Sequence, residues 1–208
     1  MAEFCQLKLK NLENGIKKIL DNTHVLNIER YTRPHHINIL FKSKGRNKNE
    51  DGFYFITIVE RGSISHGVLI RKSTKNSSIE FSLFDPNGKG ENGGDDYTIN
   101  ILLDNKKQIL NDDISPNTSW NKSGNCGLWG TILVILYHKY GNNARKINKF
   151  YNFMDKGYGL NNNGSRWISY MKTKYIDNNK NYVSTIQIQY FIDNTIEEID
   201  YVINNNKF

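Results

Sequence analysis

The chain has 208 residues, 38% hydrophobic and 12% aromatic, which fits one domain with a real buried core and excludes intrinsic disorder. A formal net charge of +7 permits contact with nucleic acid, but the lysines are scattered among asparagines with no dense basic stripe, so a solvated surface explains them. With only Cys5 and Cys126 there is no disulfide framework, and the lack of a leader-like N-terminus or a bilayer-length apolar run predicts a soluble, intracellular protein.

In chain order, residues 6–21 place Leu7, Leu9, Leu12, Ile16, Ile19 and Leu20 near helical spacing, with Gly15 as the weak point. Residues 37–41 predict a short strand, 42–52 a loop, and the β-branched run 53–60 a second strand. His66–Lys72 and Ile79–Asp85 predict two more strands around the turn-rich loop Ser73–Ser78. As a symmetric antiparallel hairpin they place Lys72 opposite Ile79 and His66 opposite Asp85, with Cβ atoms about 4.5–5.5 Å apart. A slip of one residue would break that pairing.

Pro86-Asn87-Gly88-Lys89-Gly90 opens a polar loop that lacks the spacing and the Ser/Thr of a phosphate-binding loop. Residues 97–110 suit a helix, and 113–120 a last strand. Ser123-Gly124-Asn125-Cys126-Gly127 then leads into an almost continuous apolar run, 128–137, which predicts a helix buried on most sides. Asn125 stands as its N-cap and Cys126 in its first turn. Residues 144–155, 164–176 and 184–203 complete the predicted helices. This order gives the α+β class, a central, mostly antiparallel sheet packed on the buried helix that starts at Cys126, with flanking helices. The expected organisation is one domain over 1–208, with a core of about 53–140 and a C-terminal helical portion of about 141–208.

A cysteine at the start of a helix sits where the helix dipole and unpaired amides favour the thiolate. A cysteine nucleophile also needs a base, a group that orients the base, and oxyanion donors. His66 is the candidate base, Asp85 its orienting partner, and the amides at the start of the Cys126 helix the donors. Each has an ordinary structural explanation as well. Cys126 can be a small core residue, His66 a satisfied surface histidine, and Asp85 a turn former before Pro86. His24, His35, His36 and His138 have no aligned carboxylate, and no cysteine or histidine pair has metal-ligand spacing, so neither metal nor cofactor is expected.

His66-Gly67, Phe84-Asp85-Pro86-Asn87-Gly88 and Gly124-Asn125-Cys126-Gly127-Leu128-Trp129 follow in the order His, Asp, Cys. In these phrases the chain resembles the cysteine-protease clan of adenovirus protease (adenain) and the ubiquitin-like-protein-specific proteases, over about residues 53–140. The resemblance implies a thiol endopeptidase with His66, Asp85 and Cys126 as its triad, acting as a monomer on a protein or peptide at Gly-rich sites. A viral precursor or a ubiquitin-like conjugate is the implied substrate class, and the Asn, Lys and Ile richness, like that of an AT-rich coding sequence, suits a large DNA virus or a parasite. Two positions depart from the pattern. Gly67 stands where the clan commonly has Trp, and Trp120 where it has the Gln that supports the oxyanion, with Asn121 one residue on as the other candidate donor. The same clan contains effector acetyltransferases, and a third alternative is an inactive module that binds a protein target.

Overall fold

The computed structural model describes residues 23–29, 52–60, 63–75, 78–89, 110–121, 124–176 and 185–208. Within them the chain forms one five-stranded sheet in the order β1-β2-β3-β4-β5. The strands are β1 (Thr23–Glu29), β2 (Gly52–Glu60), β3 (Ser63–Lys75), β4 (Ser78–Phe84) and β5 (Leu110–Asp113). The central strands β2, β3 and β4 run antiparallel, while β1 and β5 add to the two sides in parallel. The α+β class and the largely antiparallel centre are as the sequence predicts. The helix over 6–21 and the strand over 37–41 lie outside the described residues.

Three expectations need correction. First, the hairpin is longer and shifted. β3 runs on through Ser73, Thr74 and Lys75 and β4 opens at Ser78, so only two residues separate the strands, and Leu69 pairs with Phe84 and Lys72 with Phe81. Lys72 is therefore not opposite Ile79, nor His66 opposite Asp85. Two-residue connections are the commonest in hairpins. The displacement is two residues, which keeps every side chain on its face. Second, Leu110 opens the strand β5 and not the end of a helix; residues 97–109 are outside the described set. Third, the strand over 113–120 stops at Asp113. Pro116 has no N–H for a ladder, and residues 114–121 instead lie along the β4 end, with Ile114 N–H donating to Leu83 O at 2.8 Å and Trp120 N–H to Pro86 O at 2.9 Å. β1 lies where no strand is expected, although Thr23, Val25 and Ile28 supply β-branched residues.

Four helices follow the sheet: α1 (Cys126–Tyr140), α2 (Ala144–Met154), α3 (Asn163–Tyr175) and α4 (Thr185–Asn205). Nine consecutive residues of α1, Leu128–Leu136, are buried, as the apolar run demands. It packs against β3 on one side and α2 and α4 on the other. Leu69 and Phe84, partners across β3 and β4, belong to the same core as α1. Near the start of α1 the core is aromatic. Trp120, Trp129 and Trp167 are all fully buried, with Trp120 and Trp129 centroids 4.9 Å apart and Trp129 and Trp167 5.7 Å apart. Gly164 in α3 makes room for this stack, since a Cβ there would stand 2.6 Å from the Trp120 ring. No described helix is long and apolar enough to cross a membrane.

Candidate functional site

His66 lies on β3 opposite Ile58 of β2, where the ladder slips, so that Val59 pairs with Ile64 and Ser65 is skipped. A bulge of this kind twists its strand and re-aims the neighbouring side chains. Asp85 follows the last residue of β4 and begins a turn in which Gly88 N–H donates to Asp85 O at 3.1 Å. Proline at the second turn position and glycine at the fourth fit this geometry. Gly88 has φ +96°, and a Cβ there would meet the backbone of Pro116, Thr118 and Ser119 at 3.1–3.3 Å, so the turn lies hard against residues 116–119. Ser115 holds the other side, its Oγ accepting from Asp85 N–H at 2.8 Å.

The turn brings the carboxylate to the imidazole. His66 Nε2 is 2.9 Å from Asp85 Oδ1 and 3.0 Å from Oδ2, and Asn87 N–H donates to Oδ1 at 2.8 Å. With His66 8% and Asp85 2% exposed, the pair is shielded from bulk water, where such a contact gains most. The two residues are diagonal neighbours across the hairpin, so the two-residue shift leaves them within side-chain reach. A carboxylate has no hydrogen to give, so in the neutral ring it is Nε2 that carries the proton and Nδ1 that keeps the lone pair.

From this pair a line of asparagine side chains leads to α1. Asn87 Nδ2 is 3.4 Å from His66 Nε2, Asn121 Nδ2 donates to Asn87 Oδ1 at 2.9 Å, and Asn125 N–H donates to Asn121 Oδ1 at 3.0 Å. Asn125 immediately precedes Cys126, which is 7% exposed. Asn125 occupies the expected N-cap position of α1, yet its side chain makes no capping bond. The first-turn amides, which have no partner within a helix, are thus left uncapped by that side chain. Gly124 approaches the helix at φ +73°, a left-handed conformation that favours glycine.

Of the two candidate oxyanion positions, Trp120 is part of the core. Its Nε1–H donates to Asp155 Oδ1 at 2.8 Å, and its carbonyl accepts from Trp129 Nε1–H at 3.0 Å. Asn121 is half-buried on the line of asparagines. Asp155 and Asn162 were not singled out from the sequence, and they tie α2 and the start of α3 to this segment. Asp155 also accepts from Thr118 Oγ1–H at 3.1 Å, and Asn162 Nδ2 donates to Ser119 O at 2.7 Å. Asn87 was missed too. The true register, continued past Phe84, points to it as the residue across from His66, and only the hairpin length concealed that. Cys5 lies outside the described residues, and among those described no group of three or more His, Cys, Asp or Glu could hold a metal.

No protein-family model and no curated protein matches the chain. Among solved structures, one it is similar to is described as AvrA delL154 with IP6 and CoA, at 9% identity and TM-score 0.46, covering 93% of this chain and 86% of that chain. At that identity and overlap the likeness transfers no residue correspondence.

Proposed function

We propose that the protein is a cysteine peptidase with Cys126 as nucleophile, His66 as base and Asp85 as the group that orients His66. The observation that carries this reading is the shielded His66–Asp85 pair, joined through the Asn87 backbone N–H on Asp85 and through the Asn87 and Asn121 side chains to the residue before Cys126. With the Nε2 proton held by Asp85, His66 Nδ1 accepts the proton of the Cys126 thiol. The thiolate sulfur attacks a peptide or isopeptide carbonyl carbon, and negative charge develops on the carbonyl oxygen. The first-turn amides of α1 and the second Nδ2 hydrogen of Asn121 are the donors for that oxygen. The imidazolium returns its proton to the departing amine, and water then hydrolyses the thioester with His66 again as base.

Small residues at the cleaved bond, in a viral precursor or a ubiquitin-like conjugate, are the substrate class to try first. A cleavage-site profile of the purified protein on a proteome-derived peptide library tests the reading directly. Cleavage that disappears in Cys126→Ala and His66→Ala supports it. Acetyl transfer from labelled acetyl-CoA to Cys126, with no cleavage, would replace it by acyl transfer to a protein. Stable binding of a target with no turnover would replace it by a binding module.

A further inference from the structure

The asparagine line has a fixed direction. A backbone N–H only donates, so Asn125 compels Asn121 to present Oδ1 to it and Nδ2 to Asn87. Asn87 must then present Oδ1 to Asn121, which turns its own Nδ2 toward the Nε2 edge of His66 at 3.4 Å. Asn87 also holds the other half of the pair, since its backbone N–H donates to Asp85 Oδ1 at 2.8 Å. One residue therefore touches the imidazole, the carboxylate and the segment that leads into α1. Nε2 already gives its hydrogen to Asp85. The Asn87 amide is thus not a second bond to the ring but a filler packed beside it.

We propose that Asn87 is a positioning residue that keeps the His66–Asp85 pair in register with the start of α1, acting through Asn121. This inference rests on the proposed role of Cys126 and adds a residue that role does not require. It accounts for two polar side chains crossing between the β4 turn and residues 114–121, where backbone bonds already join the segments. The further bond between the two side chains fixes an orientation in addition to a distance.

The test is the pH profile of Cys126 alkylation by iodoacetamide, with the modified residue located by peptide mapping so that Cys5 is scored separately. The wild type is expected to alkylate at Cys126 well below the pH of an ordinary thiol, and His66→Ala to lose that reactivity. Asn87→Ala and Asn121→Ala are each expected to slow alkylation at neutral pH by about 5–10-fold, and the double variant by no more than either alone, as befits one connected network. Asn87→Asp keeps the acceptor for Asn121 but adds a carboxylate beside the imidazole, so its profile is expected to extend upward by about one pH unit. That shift reports that residue 87 faces the imidazole in solution, and the non-multiplying double variant is what separates a positioning role from a local structural one. An Asn87→Ala profile equal to wild type, losses that multiply in the double variant, or an unshifted Asn87→Asp profile in a folded protein overturns the inference while leaving the peptidase reading intact. A wild type that alkylates no faster than His66→Ala overturns both.

Discussion

Two buried carboxylates in this molecule are surrounded by hydrogen-bond donors, and they differ in what the donors leave over. Glu198 of α4 receives Lys174 Nζ at 2.7 Å, Tyr175 OH at 2.5 Å and Tyr170 OH at 3.2 Å, all from α3. Lys174 further donates to Tyr170 OH at 2.7 Å, so the cluster is closed on itself. Burial pushes Glu198 up, but the bonds from Lys174 and Tyr175 outweigh it and the carboxyl lies below its ordinary range. Lys174 is raised in return by its bonds to Glu198 and Tyr170, and burial with the Glu198 bond pushes Tyr175 up to about 12. This is a staple between two helices. Asp85 has an imidazole for its main partner, a ring that keeps a second nitrogen after giving its proton. A saturated carboxylate holds structure, whereas one whose partner has a spare lone pair can direct chemistry.

Exchanging each network's key member should separate the two roles. Asp85→Asn keeps the shape but removes the group that selects the Nε2–H tautomer. A loss of about 1,000–10,000-fold in kcat/KM is expected, with a melting temperature near wild type. Lys174→Met is the reverse case, leaving the Glu198 carboxylate without its cation. A stability loss of about 2–3 kcal/mol by urea titration is expected, at the low end because Lys174 is 47% exposed, with unchanged activity per folded molecule. If Asp85→Asn melts early and still turns over, or Lys174→Met stays stable, the distinction fails.

Between these networks stands the tryptophan stack, and Gly164 is where it can be disturbed. A methyl group there is directed at the Trp120 ring. Gly164→Ala should cost about 1–3 kcal/mol through overpacking. Because Trp120 adjoins Asn121 and its carbonyl holds Trp129, it should also lower activity, in contrast to Lys174→Met. Equal activity in the two variants would mean that the stack and the asparagine line are mechanically independent.

How much of this was legible beforehand follows from the range of the forces involved. The α1 run from Leu128 declares itself because a helix buried all round needs apolar residues at nearly every position, and α2, α3 and α4 fall within a residue or two of their predicted bounds. His66 and Asp85 were readable as one face of a hairpin even with the register displaced, because side-chain faces repeat every two residues. β5 was not readable, since four residues, Leu-Asn-Asp-Asp, have too little pattern to compete with a helical reading of 97–110. Asn121 is a candidate from the sequence, but its bond to Asn87 was hidden for a different reason. Their meeting depends on the turn at Pro86 and on the path of 114–121 beside it, and no periodicity in the chain encodes the meeting of two loops.

The smallest expected effect concerns acid, and it applies only to the staple. Glu198 has a folded-state pKa below its unfolded value. Its contribution to stability is therefore fully present above the ordinary glutamate pKa and is lost as pH falls through the depressed one. Protonation leaves Lys174 half in water and turns charged bonds to two tyrosines into neutral ones, a loss on the order of 1–2 kcal/mol. Thermal melts should fall more steeply below about pH 4 in the wild type than in Glu198→Gln, which has already lost that charge at every pH. The same variant should leave the pH profile of Cys126 alkylation unmoved, because none of the bonds to Glu198 involves His66, Asp85 or the asparagines. Parallel acid melts for wild type and Glu198→Gln would show that the staple contributes nothing through its charge, and a shifted alkylation profile would show that the two carboxylates are coupled after all.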